Sequence, residues 1–313
     1  MTQAPPDPIV HVANAQELAA DLVVIPNQRV GLVPNIGVIG GSEAVLVVET
    51  GMGPRNAEMV LRFAADHARG RRIYLTTTHF HPEHAFGAQA FSGEATWLVN
   101  RAQADDLATK GAAYLAMFRN LGPGVAAQLE GVELVAPDVV YDGTHHLDLG
   151  GRIVHLRPTG RGHSRGDQVV TVPDAGVLFT GDLAEAGQFA IFPWFPPHDT
   201  DVSGVRWIEV MRTLVGENHP MVVPGHGDLG GPDLLTTVLD YLELLRDETW
   251  VRRDSAMPLP TIEQEVRALM LERHPDWVAR EWIERGVGCL CAEHPAAAQH
   301  LEPPAGAEVS SPR

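Results

Sequence analysis

A layered α/β architecture follows from two features of the 313-residue chain. Short runs rich in Val and Ile, broken by turns, are interleaved with segments of helical periodicity, which is the pattern of sheets covered by helices. Apolar residues make up 44% of the sequence and charged residues 20%, enough to bury a substantial core without disulfides or a structural metal.

In the first half, residues 22–26, 35–40 and 44–49 read as strands, and Gly40-Gly41-Ser42 supplies a hairpin turn between the last two. Pro54 opens a helix that sets Met59, Val60, Phe63 and Ala64 on one side. Residues 71–78 form a strand that runs into a histidine cluster, and residues 102–129 are mostly helical. In the second half, residues 152–157, 168–172 and 177–180 read as consecutive strands, 207–215 as a helix, and 221–224 as a short apolar strand ending at Gly225-His226-Gly227. Residues 233–252 contain no helix breaker. Thr261-Ile262-Glu263-Gln264 matches a capping box, and residues 276–285, closed by Gly286, predict a last helix. From Pro295 onward the chain is Ala, Pro, Glu and Ser, the composition of a frayed tail. The organisation expected is an N-terminal segment (1–20), a main domain (21–231), a helical extension packed on it (232–294) and a tail (295–313).

Twenty-three basic against forty acidic residues leave a net charge of −17. Phosphate backbones and anionic membranes are bound through Lys and Arg, so a nucleic-acid or membrane partner is not expected. No apolar run approaches the about 20 residues of a membrane span. Residues 1–8 have neither the basic stretch nor the apolar run of a signal peptide, so a cytoplasmic location is expected. The two cysteines, Cys289 and Cys291, are one residue apart, poorly placed for a disulfide, and read as buried free thiols.

The chemistry concentrates in His79-Phe80-His81-Pro82-Glu83-His84, three histidines within six residues at the end of a strand. Neutral imidazole is a good zinc ligand, and a strand end followed by a tight turn lets closely spaced side chains converge. Three unrelated surface histidines rarely fall this way with a carboxylate among them. Downstream, Gly162-His163-Ser164, Gly181-Asp182 and Gly225-His226-Gly227 each place a ligand type beside a glycine at a strand end or shortly after one. Together they offer five histidines and two carboxylates, enough for two metal ions.

In this order, His79, His81, Glu83, His84, His163, Asp182 and His226 resemble the metal-ligand motif of the metallo-β-lactamase superfamily, His-x-His-x-Asp-His followed by His, Asp and His. Val47-Val48-Glu49-Thr50-Gly51 is similar to the family's Val-Asp-Thr-Gly. The resemblance spans residues 22–230 and implies a four-layer αβ/βα sandwich with the metals at the shared edge of two sheets. It implies that His79, His81 and His163 hold a first zinc, that Glu83, His84 and His226 hold a second, and that Asp182 bridges them. A bridged water would then lose its proton near neutral pH and attack an acyl carbon. The chain departs from the motif at Glu83 and Glu49, both Asp in the family. The extra methylene at Glu83 shifts its carboxylate, which leaves it two roles: ligand or proton shuttle. Glu49 reads as a partner of the ligands or as a structural residue.

Phe189, Phe192, Trp194 and Phe195 follow Asp182 closely. Phe192, Trp194 and Phe195 are candidates for a substrate-pocket wall. Tyr114, Met117 and Phe118 are a second candidate wall, with core packing the better reading. His145-His146 beside Asp142-Gly143 reads as a turn, His155 as packed in a strand, and His198 as facing solvent. The leading functional reading is a metal-dependent hydrolase, dinuclear in zinc, acting on a small ester, thioester, lactone or β-lactam. Glu83 is its candidate catalytic carboxylate. The alternative on the same scaffold is an iron-dependent oxidoreductase of the persulfide-dioxygenase kind. A small-molecule substrate is expected as partner, and a homo-oligomer is compatible with the sequence.

Overall fold

The structure is a computed structural model that describes residues 6–295. Two sheets form its centre. The first has seven strands in sequential order: β1 (Gln16–Ala19), β2 (Leu22–Ile25), β3 (Ile36–Gly40), β4 (Ala44–Val48), β5 (Arg72–Thr76), β6 (Thr96–Asn100) and β7 (Val139–Tyr141). The first four pair antiparallel, and β4 to β7 pair parallel. The second sheet comprises β8 (His145–Asp148), β9 (Ile153–Gly160), β10 (Asp167–Val172), β11 (Val177–Gly181) and β12 (Met221–Pro224), in the order β12-β11-β10-β9-β8. Only the β11–β12 pair is parallel.

The central strands β3, β4 and β11 are buried along their whole length because both of their faces are covered. Along β4, Ala44, Leu46 and Val48 point to one side and Val45 and Val47 to the other. The first set meets Leu156, Val170, Val172 and Phe179 of the second sheet, forming the core between sheets. The second set packs under the helices α1 (Gly53–Ala68), α3 (Arg101–Arg119) and α4 (Pro123–Gln128). On the far side, Val169 and Leu178 are covered by α5 (Gly204–Glu217), α6 (Pro232–Asp254), α7 (Leu259–Arg273) and α8 (Trp282–Ala292). The result is the αβ/βα four-layer sandwich with extra C-terminal helices.

Several local expectations are corrected. Residues 145–148 are a strand, not a turn: Leu147 drops into the inter-sheet core, and His146 pairs with His155 across β8 and β9. The capping-box helix starts earlier, at Leu259, with Pro258 as its N-cap, so Thr261 lies inside the first turn. The last helix begins at Trp282 and passes through Gly286. In α1, Ala57, Val60 and Ala64 are fully buried, whereas Met59 and Phe63 are half-buried at its flanks. The tail expected from residue 295 lies, from 296 on, outside the described residues.

Candidate metal centre

The seven ligand-type residues meet at one edge of the two sheets, each delivered by a strand end. After β5 the chain runs through Thr77 and Thr78 to His79. His81 then caps a single helical turn, α2 (Pro82–Ala85), with Pro82 at its first position, where a missing N–H costs nothing. That turn presents Glu83 and His84, and Thr50 Oγ1 fixes it by donating to the His84 carbonyl at 2.8 Å. Asp182 follows β11, and His226 follows β12. Gly225 has to be glycine: a Cβ there would lie 2.0 Å from Asp182 Oδ1.

Two ligand groups result: His79, His81 and His163, and Glu83, His84, Asp182 and His226, all buried. Asp182 stands between them. Its Oδ2 is 3.8 Å from His79 Nε2 and 3.7 Å from His163 Nε2; its Oδ1 is 3.3 Å from His84 Nε2 and 3.5 Å from His226 Nε2.

Hydrogen bonds outside the cluster set the imidazole protons. His163 Nδ1 donates to the Ile191 carbonyl and His226 Nδ1 to the Val33 carbonyl, each at 2.9 Å, which leaves both Nε2 lone pairs facing inward. Thr78 Oγ1 donates to Glu49 at 2.6 Å and so accepts from His79 Nδ1 at 3.1 Å, turning its Nε2 inward as well. Glu49 also lies 3.3 Å from His84 Nδ1. It therefore orients two candidate ligands, and it does so from a left-handed backbone (φ 76°).

These buried donors fit a cation. His79 Nε2, His84 Nε2, His226 Nε2, Glu83 Oε2 and both Asp182 oxygens make no hydrogen bond. His81 Nδ1 and His163 Nε2 sit 3.0 Å apart, and the His163 nitrogen there carries no proton. Buried polar atoms left unpartnered are costly, and two positive ions would satisfy this arrangement.

Burial pushes His79, His81 and His226 below the usual imidazole range and His163 down to about 4, the neutral form that ligation requires. Burial also opposes charge on His84, but Asp182 and Glu49 outweigh it and hold that imidazole well above its ordinary range. Burial lifts Glu83 to about 7, with His84 pulling the other way.

The cluster is the floor of a cavity of about 720 Å³ to which Glu83, Asp182 and His226 contribute, with largely apolar walls. Phe195 lines this cavity. Phe192 does not: it is fully buried against Trp207, ring centroids 5.0 Å apart, because the loop turns it into the core beneath α5. Trp194 packs half-buried beside Gly288 of α8, outside the lining. Tyr114, Met117 and Phe118 do both things the sequence allowed: Tyr114 and Phe118 are buried in the core under α3 with Met117 packed against it, and all three also line the cavity, where the Tyr114 ring stacks on His81 at 5.0 Å and 19°. Sequence reasoning missed Val278 and Trp282, which come from far along the chain and carry no motif. His145, His146, His155 and His198 are not in either ligand group, and Cys289 and Cys291 are buried free thiols. Among the described residues no helix is long and apolar enough to cross a membrane.

The profile of the metallo-beta-lactamase superfamily matches residues 29–226. Among curated relatives, the acyl-coenzyme A thioesterase MBLAC2 of Bos taurus is 30% identical over 223 residues, 64% of this chain and 75% of the relative. The Homo sapiens protein of that name matches at the same identity and coverage. Among solved structures, the DIM-1 metallo-beta-lactamase superposes with a TM-score of 0.59 at 15% identity, over 75% of this chain and 98% of that one. The sec-alkylsulfatase Pisa1 from Pseudomonas sp. gives a TM-score of 0.66 at 16% identity, over 92% of this chain and 52% of its own.

Proposed function

Because the chain belongs to the metallo-β-lactamase superfamily and is a hydrolase of that family, we propose that it holds two zinc ions and cleaves thioesters of apolar acyl groups. One observation carries the reading: a carboxylate divided between two buried ligand groups, at the floor of an apolar cavity. Its 30% identity to acyl-coenzyme A thioesterases favours a thioester over the lactone and β-lactam alternatives. Metal ions at such a site supply Lewis acidity and bring the pKa of water near neutrality.

The chain's own residues do the rest. His79, His81 and His163 form one ligand set, His84, Glu83 and His226 the other, and Asp182 joins them. The apolar walls exclude bulk water, which strengthens every electrostatic contact on the floor. Glu83, with an unpartnered Oε2 on the cavity floor, is placed to carry a proton to or from the departing group. The partner is accordingly a small molecule.

Metal content and turnover test this together. Protein purified without added metal should contain about two zinc ions per chain by elemental mass spectrometry. It should hydrolyse acyl thioesters in preference to esters, lactones and β-lactams, lose activity to chelator and regain it with zinc. Iron, accompanied by oxygen uptake on thiol substrates, would overturn the hydrolytic reading in favour of an oxidoreductase. Failure to take up any metal would remove the site altogether.

A further inference from the structure

We infer that residues 278–282, a strap C-terminal to the segment matching the family profile, form with one face of α3 a trough for the substrate's alkyl chain and set its chain-length preference. The thioesterase reading supplies the substrate's identity; the trough itself stands on geometry.

The α3 wall is Tyr114, Met117, Phe118 and Leu121, the spacing i, i+3, i+4, i+7 of a single helical face, continued by Leu121 just past the helix end. At its inner end Tyr114 lies on His81 of the ligand cluster. At its outer end Leu121 is 56% exposed. Seven residues at 1.5 Å rise make this stripe roughly 10 Å long. That is the length of roughly eight carbon–carbon bonds, at the about 1.2 Å per bond that an extended chain advances.

The second wall is the strap. Val278 N donates to the Gly187 carbonyl at 3.2 Å, and Phe189 N donates to the Val278 carbonyl at 3.1 Å. These bonds pin the strap by its backbone to the loop after Asp182. The Val278 side chain is thereby left 59% exposed at the cavity, and Trp282 lines it next. Beyond the ligand cluster and Tyr114, the polar side chains on the lining are Asn27, Arg29, Gln188 and Glu281; Arg29 is already bonded to Asp228, and Glu281 is exposed, where its carboxylate stays hydrated. An apolar chain running from floor to rim would cover both exposed side chains, Val278 and Leu121.

Binding and turnover are measured on metal-loaded protein. Dissociation constants for hexadecanoate and octanoate come from calorimetry, and kcat/KM from acetyl, octanoyl and hexadecanoyl thioesters. The variants are Val278→Asp and Leu121→Asp, one per wall. Both side chains are exposed, so folding is retained and thermal unfolding verifies it. Each substitution should weaken octanoate binding about tenfold or more and lower the octanoyl-to-acetyl ratio of kcat/KM by a similar factor, and in the parent the eight further carbons of hexadecanoate, which run past a trough of that length, should add little. Wild-type octanoate affinity in both variants, or no octanoate binding by the parent, would overturn the trough. Binding that depends on Val278 and Leu121 in a protein that cleaves no thioester would uphold the trough and discard the thioesterase reading.

Discussion

Glu49 shows how much of the site depends on a residue that is not itself a candidate ligand. Its carboxylate accepts from Thr78, which positions His79, and it lies 3.3 Å from His84 Nδ1. Replacing it with the neutral isostere keeps the shape and removes the charge. Glu49→Gln should weaken metal affinity about 10–100-fold, the usual cost of losing a carboxylate behind a histidine ligand. Competition with a chromophoric chelator would measure it; unchanged affinity would reduce Glu49 to a structural residue. The seven candidate ligands that the structure brings together were legible in the sequence because they lie in short motifs that follow strands. The role of Glu49 was legible only as one of two readings, since its left-handed backbone and the Thr78 link appear only once β4 and β5 lie side by side. Phe192 misled for the opposite reason. Aromatic residues in a Pro-rich loop say nothing about which face of the loop is core.

Gly286 carries the element-scale lesson. A glycine in a helical pattern reads as a terminator, since it costs about 0.5–1 kcal/mol relative to alanine in a helix. Here α8 continues through it, because a Cβ would lie 2.8 Å from Leu245 Cδ2 and 3.1 Å from Phe192 Cδ2. The glycine lets α8 approach α6 and the loop carrying Phe192. Gly286→Val should destabilise the fold by about 1–3 kcal/mol through overpacking. Gly286→Ala should cost less, because the gain in helix propensity offsets part of the clash. Urea unfolding of both variants would show this ordering, and a valine variant as stable as the parent would mean the helices separate freely. The missed strand at residues 145–148 has a similar origin. Its inward residue Leu147 is legible as core only against the opposing sheet, and Asp142-Gly143 just before the strand is a turn signal that drew His145-His146 into the same reading.

At the scale of the whole molecule, the four layers were legible because strand and helix patterns alternate along the chain, whereas the strap at 278–282 reaches the cavity only through the tertiary packing of the last helices. Layer packing also concentrates unpartnered polar atoms at one sheet edge, and stability should report on what fills it. Ligands that bind only the folded state add stability by mass action, so chelation should lower Tm and zinc should restore it. The chelated protein should also titrate in a defined window. Burial holds His79, His81 and His226 below their ordinary range and His163 at about 4. Below about pH 6.5 the unfolded chain therefore takes up protons that these folded imidazoles refuse, and their contribution to stability falls as pH drops toward about 4. His84, held above its ordinary range by Asp182 and Glu49 against the opposing effect of burial, contributes with the opposite sign. So do the carboxyls that burial raises, Asp106 to about 6, Glu83 to about 7 and Asp167 to about 8, which protonate first in the folded chain and add stability as pH falls through those values. The two sets offset one another in a bulk unfolding profile, so the imidazoles have to be read one by one. Histidine-ring NMR titration of chelated protein should leave His163 neutral down to about pH 4. Protonation of His163 at its ordinary pH, in folded protein shown to be free of metal, would mean that burial does not hold it neutral.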